Sequence, residues 1–317
     1  MVAIAILDDY QNVALSMADW SGLQKNHRIV AFNERLPDVE AVARALAEFE
    51  IVGVMRERTP FQRALFEKLP KLKLLVTTGK RNASIDLEAA KAHGVTVCNT
   101  GGAGRATAEL TVGLMIALAR HFREEFQAMR PGGGWQTTLG IDLEGRTLGL
   151  LGLGNLGAKV GRIGAAMGMQ VIAWSQNLTT ERAAEVGATL VSKDELFREA
   201  DVVSIHLVLS GRTRGLVGAA ELALMKPAAR LVNTSRGPIV VEADLVAALK
   251  DKKIAGAAID VFDQEPLPFD HPARALPNML ATPHIGYVSH GLYTRFYQDT
   301  VANICSWLDS QATEAVV

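Results

Sequence analysis

Three short stretches in the second half of the chain hold side chains that could reduce a keto acid. Val232-Asn-Thr-Ser-Arg236-Gly-Pro238 is an apolar run ending in an arginine. Asp260-Val-Phe-Asp-Gln-Glu265-Pro266 ends in carboxylates, and Thr282-Pro-His284-Ile-Gly286 supplies an imidazole. A guanidinium such as Arg236 can grip a carboxylate with two hydrogen bonds and polarise the neighbouring keto oxygen. An imidazole such as His284 can hand that oxygen its proton as hydride arrives. A carboxylate such as Glu265, set on the other ring nitrogen, fixes the tautomer and favours the charged ring. Each also has a plain structural reading: a helix-end salt bridge, a solvated turn residue before proline, a satisfied loop histidine. All three stretches sit where a parallel strand would end, so their side chains are expected to converge on one cleft edge.

A hydride donor is needed too, and residues 147–168 contain a turn suited to one. Gly152, Gly154 and Gly157 form G-x-G-x-x-G after an apolar strand and before a helix. In a chain with 28 glycines the bare pattern means little, and the strand and helix around it carry the argument. Gly152 allows the tight turn, Gly154 the close approach of a pyrophosphate, and Gly157 the contact of helix with strand. Free backbone N–H groups near Asn155 and Leu156 would bind the anion. Ala158, Gly161 and Ala165 are expected to face the sheet. An acidic residue that reads the adenosine ribose belongs about 20 residues further on. Ser175 stands there instead, and the nearest arginine is Arg182. Serine neither accepts strongly from the ribose nor repels a 2′-phosphate, so the preference for NAD over NADP is expected to be weak or to lean to NADP.

Two series of alternating strands and helices must position these groups. The first has strands at Val2–Leu7, Ile51–Met55, Leu72–Thr77 and Val95–Cys98, with helices at Asp38–Glu48 and Ile85–His93, the latter stopped by Gly94. The second has strands at Thr147–Leu151, Gln170–Trp174, Val202–Leu207, Ala229–Asn233 and Ile254–Val261. Thr107–Met129 reads as one long helix, apolar around most of its start, and therefore buried between domains or against a second subunit. Pro131-Gly-Gly-Gly134 breaks it, and Gly291–Leu308 reads as a final helix. Strand and helix in alternation imply parallel sheets, whose ligands bind beyond the carboxyl ends of the strands.

The chain has 317 residues, 33 of them basic and 34 acidic, so no basic excess points to nucleic acid. The longest apolar stretch, Leu110–Ala119, is too short to span a bilayer. The first ten residues lack a basic flank and a cleavage site, which argues against a signal peptide. Two cysteines, Cys98 and Cys305, offer neither a disulfide framework nor a metal pattern, and are read as buried and inert. A cytoplasmic protein is expected.

The run of motifs resembles the D-isomer-specific 2-hydroxyacid dehydrogenases over nearly the whole chain. The matching pieces are Gly152-Leu-Gly-Asn-Leu-Gly157, His206-Leu-Val-Leu-Ser with Thr213-Arg-Gly-Leu-Val, Asn233-Thr-Ser-Arg-Gly, Asp260-Val-Phe-Asp-Gln-Glu-Pro-Leu and Pro283-His-Ile-Gly. The resemblance implies an α/β protein of two open parallel-sheet domains with a cleft between them. A Rossmann domain over 101–287 would bind the dinucleotide. A discontinuous flavodoxin-like domain, 1–100 plus 288–317, would bind substrate. It implies Arg236 as carboxylate binder, His284 as acid/base and Glu265 as its partner. Asp260, Thr234 and Ser235 would hold the nicotinamide end, while Leu207, Val208, Thr213 and Gly286 would line the cofactor, NAD or NADP. A homodimer through the nucleotide-binding domains is implied, which suits the apolar helix.

Three departures from the family pattern stand out. Val208 replaces the usual Pro, and Ser175 the usual Asp. The loop Thr77-Thr-Gly79-Lys80-Arg81-Asn82 resembles the family's carboxylate-binding loop, whose N–H groups face the substrate, but Arg81 stands where the second glycine is usual. Lys80 and Arg81, with Arg56 and Arg58 at the end of the neighbouring strand, are either solvated surface charges or a pocket for a second anionic group on the substrate. Glu265 argues against formate as substrate, because formate dehydrogenases carry Gln there. A second reading, a dinucleotide-sensing regulatory protein of the same fold, keeps similar site residues. Turnover of 2-keto acids would separate the two.

Overall fold

A computed structural model describes residues 1–102 and 105–314, with side chains described to residue 310. The chain divides into two compact units, Met1–Ala103 with Ser289–Val317, and Gly104–Val288. Among the described residues no helix is long and apolar enough to cross a membrane.

In the first unit, β1 (Ala3–Ile6), β2 (Arg28–Ala31), β3 (Ile51–Val54), β4 (Leu74–Thr77) and β5 (Thr96–Asn99) form one parallel sheet in the order β2-β1-β3-β4-β5. That is the flavodoxin-like winding. β3 and β4 are buried at every residue, as a sheet covered on both faces requires. Local chemistry sets the helix ends. Asp38 accepts the N–H of Ala41 at 2.8 Å and Asp86 that of Ala89 at 2.8 Å, so each caps a helix start. Gly94, at φ +69°, stops the helix Leu87–Ala92.

In the second unit, β6 (Thr147–Leu151), β7 (Gln170–Trp174), β8 (Ala188–Leu190), β9 (Val202–Ile205), β10 (Arg230–Asn233), β11 (Gly256–Ile259) and β12 (Met279–Ala281) pair in the order β12-β11-β10-β9-β6-β7-β8. Every pairing is parallel, so all seven carboxyl ends lie along one edge. The winding reverses between β6 and β9, which is where such sheets bind nucleotides. The helix Asn155–Ala166 lies against β6 and β7 through Gly157, Gly161 and Gly164. A Cβ on Gly164 would come within 2.5 Å of Leu148 Cδ2. Ala165, expected on this face, is exposed instead; its helical phase turns it away from the sheet.

The long helix expected over Thr107–Met129 is two helices, Arg105–Ala119 and Phe122–Ala128, parted at His121 with φ +52°. A competing backbone bond marks the break. The carbonyl of Ala119 accepts the N–H of Ile141 at 2.9 Å instead of continuing the helix. Arg123 donates Nη1 to the carbonyls of Leu276, Pro277 and Met279, tying the second helix to the start of β12. The first helix buries Ala108, Leu114, Met115 and Ala119 within its own unit. The exposed apolar side chains lie after it: Phe122, Phe126, Met129, Trp135 and Leu139.

Cys98 and Cys305 are half-buried rather than buried; burial pushes both thiols up, which keeps them protonated.

His206 follows β9, and its Nε2 lies 2.9 Å from Ser204 Oγ. Burial pushes its pKa down to about 4, so the folded chain holds the ring neutral. The unfolded chain binds this proton first. Stability is therefore full above the unfolded value of 6.5 and falls progressively toward 4, by up to about 3 kcal/mol. Urea unfolding at pH 7, 5.5 and 4 should show a shallower acid loss for His206→Gln than for the wild type. Parallel loss in the two proteins would refute the assignment.

Candidate active site

The Gly152–Gly157 turn joins β6 to the helix Asn155–Ala166. Gly152 sits at φ +106°, and a Cβ there would meet the carbonyl carbon of His206 at 2.8 Å. A Cβ on Gly157 would lie 2.1 Å from the Gly152 carbonyl oxygen. Gly154 differs: a Cβ there would meet nothing within 4 Å. Gly152 and Gly157 are demanded by the fold itself, whereas Gly154 leaves open space before the helix start. The first intrahelical bond runs from Ala158 N–H to the Gly154 carbonyl at 2.9 Å, so the amides of Asn155, Leu156 and Gly157 precede the helical ladder. This cradle fits a pyrophosphate.

Around the turn, Ser175 follows β7 and is half-buried. Arg182 is paired with Glu185 on the next helix. Leu207 and Val208 follow β9, and Val208 is 74% exposed. Thr213 donates to the Val208 carbonyl at 2.7 Å and accepts the N–H of Ser210 at 2.8 Å, so its hydroxyl closes the loop.

The three chemistry-bearing stretches follow β10, β11 and β12, which are adjacent strands. After β10, Asn233 shapes the turn: its Nδ2 donates to the Arg236 carbonyl at 3.0 Å and its Oδ1 accepts the N–H of Ser235 at 3.0 Å. Ser235 donates to the Leu207 carbonyl, and Thr234 Oγ1 lies 2.7 Å from Thr111 Oγ1. Arg236 Nη1 donates to the Ser235 carbonyl at 2.7 Å. The backbone of Gly237 presses on that of Phe262; a Cβ there would sit 2.2 Å from the Phe262 carbonyl carbon. Segments 236–237 and 262–263 are thus held together.

Glu265 Oε2 lies 2.6 Å from His284 Nδ1, and Glu265 Oε1 accepts the N–H of Phe262 at 2.9 Å. The carboxylate fixes the proton on Nδ1 and leaves Nε2 for exchange. Tyr287 meets the His284 ring edge to face, with centroids 5.2 Å apart. His284 itself sits at φ +52°, a strained value for a residue with a side chain. Asp260 stabilises that turn. Fully buried, it accepts from Thr282 Oγ1 at 2.6 Å, Ile285 N–H at 2.8 Å and Gly286 N–H at 2.8 Å. Burial pushes its pKa up against these bonds. Asp260 thus bonds to the histidine turn. Gly286 is tied in turn by Thr107 Oγ1, which donates to its carbonyl at 2.8 Å. Thr107 and Thr111 gave no sequence signal, because a hydroxyl on an apolar helix reads as core.

The loop Gly79-Lys80-Arg81 belongs to the other unit and follows β4. The N–H of Gly79 donates to Thr100 Oγ1 at 2.7 Å, which turns it inward. Arg56, at φ +53°, lays its guanidinium over Gly79, where a Cβ would come within 1.9 Å of Nη1, and also pairs with Glu57. Arg58 donates to the Asp8 carbonyl at 2.6 Å and to Tyr293 Oη at 3.1 Å, and covers the Tyr10 ring at 4.3 Å. Arg56 and Arg58 are therefore engaged by their own unit. Asn82 clamps the loop through the Arg56 carbonyl at 2.6 Å and Thr77 Oγ1 at 2.9 Å. Lys80 and Arg81 are exposed.

Residues 112–286 match the family model of the D-isomer specific 2-hydroxyacid dehydrogenase NAD binding domain. The chain belongs to this family. The dehydrogenase is 38% identical over 262 residues to a glyoxylate reductase of Aeropyrum pernix, covering 80% of this chain and 78% of that one. It is 36% identical over 288 residues to a D-3-phosphoglycerate dehydrogenase of Methanocaldococcus jannaschii, of which it spans about half, 51%. The crystal structure of a phosphoglycerate oxidoreductase from Vibrio cholerae superposes with a TM-score of 0.93 at 36% identity, over 98% of this chain and all of that one. The dehydrogenase is thus an NAD(P)-dependent oxidoreductase that moves a hydride to or from a 2-keto or 2-hydroxy acid. Among its described residues no group of three His, Cys, Asp or Glu could hold a metal ion.

Proposed function

We propose that the enzyme reduces a small 2-keto acid to its D-2-hydroxy acid with His284 as proton donor, Glu265 as its orienting partner and Arg236 as carboxylate clamp. One observation supports this above the others. The 2.6 Å contact of His284 Nδ1 with Glu265 Oε2 lies on the same strand edge as the Gly152–Gly157 turn. When bound, the dinucleotide supplies the hydride to C2 of the substrate. Arg236 binds the substrate carboxylate and polarises the keto oxygen. His284 passes its Nε2 proton to that oxygen, and Glu265 stabilises the ring through the exchange. In the reverse direction the same ring takes the hydroxyl proton. Asn155 and Leu156 bind the pyrophosphate with their N–H groups. Leu207, Val208 and Thr213 line the nucleotide. Thr234, Ser235 and Gly286 shape the nicotinamide end through the backbone. The unit of Met1–Ala103 with Ser289–Val317 is the substrate domain, and its Lys80 and Arg81 read a second anionic group on the substrate. The exposed apolar side chains between 122 and 139 cover each other in a homodimer.

Four measurements test these assignments. His284→Asn should lower kcat/KM for keto-acid reduction by about 100-fold or more, whereas Arg236→Gln should chiefly raise the substrate KM. A His284→Asn enzyme of normal speed sinks the acid–base role. Oxaloacetate or phosphohydroxypyruvate should be favoured over glyoxylate and pyruvate by about tenfold or more, one desolvated charge contact's worth. Lys80→Ala with Arg81→Ala should abolish that preference, and equal rates in the wild type would end the idea. For the cofactor, NADPH should serve at least as well as NADH. Ser175→Asp should cut NADPH use by about tenfold or more, because a carboxylate repels the 2′-phosphate. A wild-type KM for NADH far below that for NADPH contradicts this. Light scattering should give a dimer that Phe126→Glu with Trp135→Ser splits; a monomeric wild type rules the dimer out.

A further inference from the structure

Glu265 is not held by packing. Its side chain remains 35% exposed, and its backbone lies in neither helix nor strand. Besides the Phe262 N–H that its Oε1 accepts at 2.9 Å, its position depends on the anchors of loop 263–271. Both ends of that loop meet one carboxylate. Glu242, the first residue of the helix Glu242–Lys250, takes the Nε2 proton of His271 on Oε1 at 2.8 Å, and the N–H of Asp263 approaches its Oε2 at 3.5 Å. The tautomer of His271 follows from its other nitrogen. Nδ1 accepts the N–H of Ala273 at 3.3 Å, so the ring proton sits on Nε2 and is directed at Glu242. From the far side Arg274 donates to the carbonyls of Pro268 at 2.7 Å and Leu267 at 2.6 Å.

The contact is sheltered: the side chains of His271 and Glu242 are 19% and 25% exposed, and the carboxylate faces both ends of the loop. It also stands beside a like charge. Asp263 is pushed up by burial and by the nearby Glu242, with Arg214 opposing. A carboxylate kept next to another carboxylate, and engaged by both loop ends, points to a geometric task.

We propose that Glu242, with His271, is a positioning residue for catalysis: by tying both ends of loop 263–271 it holds the Glu265 carboxylate against His284 Nδ1. The proposal rests on the acid–base reading of Glu265 and His284. Glu242 acts through Glu265 alone and leaves substrate and cofactor binding untouched.

A double-mutant cycle tests this. Glu242→Gln should lower kcat about tenfold to hundredfold, the cost of misplacing a catalytic group by about 1 Å. Substrate KM and the Kd for NADH, read by fluorescence, should change less than about twofold, since neither contact is altered. Glu242→Gln in a Glu265→Gln background should cause no further loss, because the two act as one unit. His271→Gln should behave as Glu242→Gln does, and it carries the test if the latter does not fold. A slow Glu265→Gln enzyme together with a normal Glu242→Gln enzyme overturns the proposal. So does a double variant slower than Glu265→Gln alone by the full Glu242→Gln factor. A Glu265→Gln enzyme as fast as wild type would instead overturn the acid–base reading, and the positioning role with it.

Discussion

A single buried carboxylate fixes the geometry on which the chemistry depends. Asp260 leaves the end of β11 fully enclosed and takes three donors from the neighbouring segment: Thr282 Oγ1 and the amides of Ile285 and Gly286. A buried acceptor left without donors costs about 1–3 kcal/mol or more, so segment 282–286 is strongly constrained to supply them. Meeting that demand forces His284, lying between the donors, into its positive φ. The strain is local; the bonds that offset it lie within two residues on either side. The imidazole is thereby presented by its backbone, and Glu265 needs only to meet it.

The nucleotide turn obeys a different constraint, close approach of backbone to backbone. Gly152 lies against His206, and Gly157 lies against Gly152. These contacts let the helix start directly above the sheet edge, at the point where the strand order reverses. Gly237 against Phe262 repeats the device two strands away, where it sets the segment after Arg236 beside the one leading to Glu265. Missing side chains, as much as present ones, define this edge.

Much of this was legible in the sequence. Period and turn chemistry located nine of the strands, and the glycine spacing located the cradle. The strands that escaped notice, β2, β8 and β12, are all sheet edges; β8 and β12 have three residues, too few for a pattern to develop, and β2 has no fully buried residue to mark a core face. The helix expected over Thr107–Met129 failed for a tertiary reason: the N–H of Ile141 took the carbonyl of Ala119, a partner not visible from local propensity. The pairing of Glu265 with His284 could be anticipated from residue types at strand ends. The Asp260 bonds, the inward turn of the Gly79 amide and the engagement of Arg56 and Arg58 could not, because each depends on partners distant in sequence.

The bonds of Arg123 bear on solubility. β12 is an outer strand, and its Asn278-side carbonyl row alternates between the neighbour β11 and open space. Asn278 accepts from Ala257, whereas the carbonyl of Met279 faces outward and receives Arg123. A charged side chain therefore occupies the acceptor that a foreign strand would need to extend the sheet. This rim is blunted against amyloid-like addition by a side chain of the helix Phe122–Ala128.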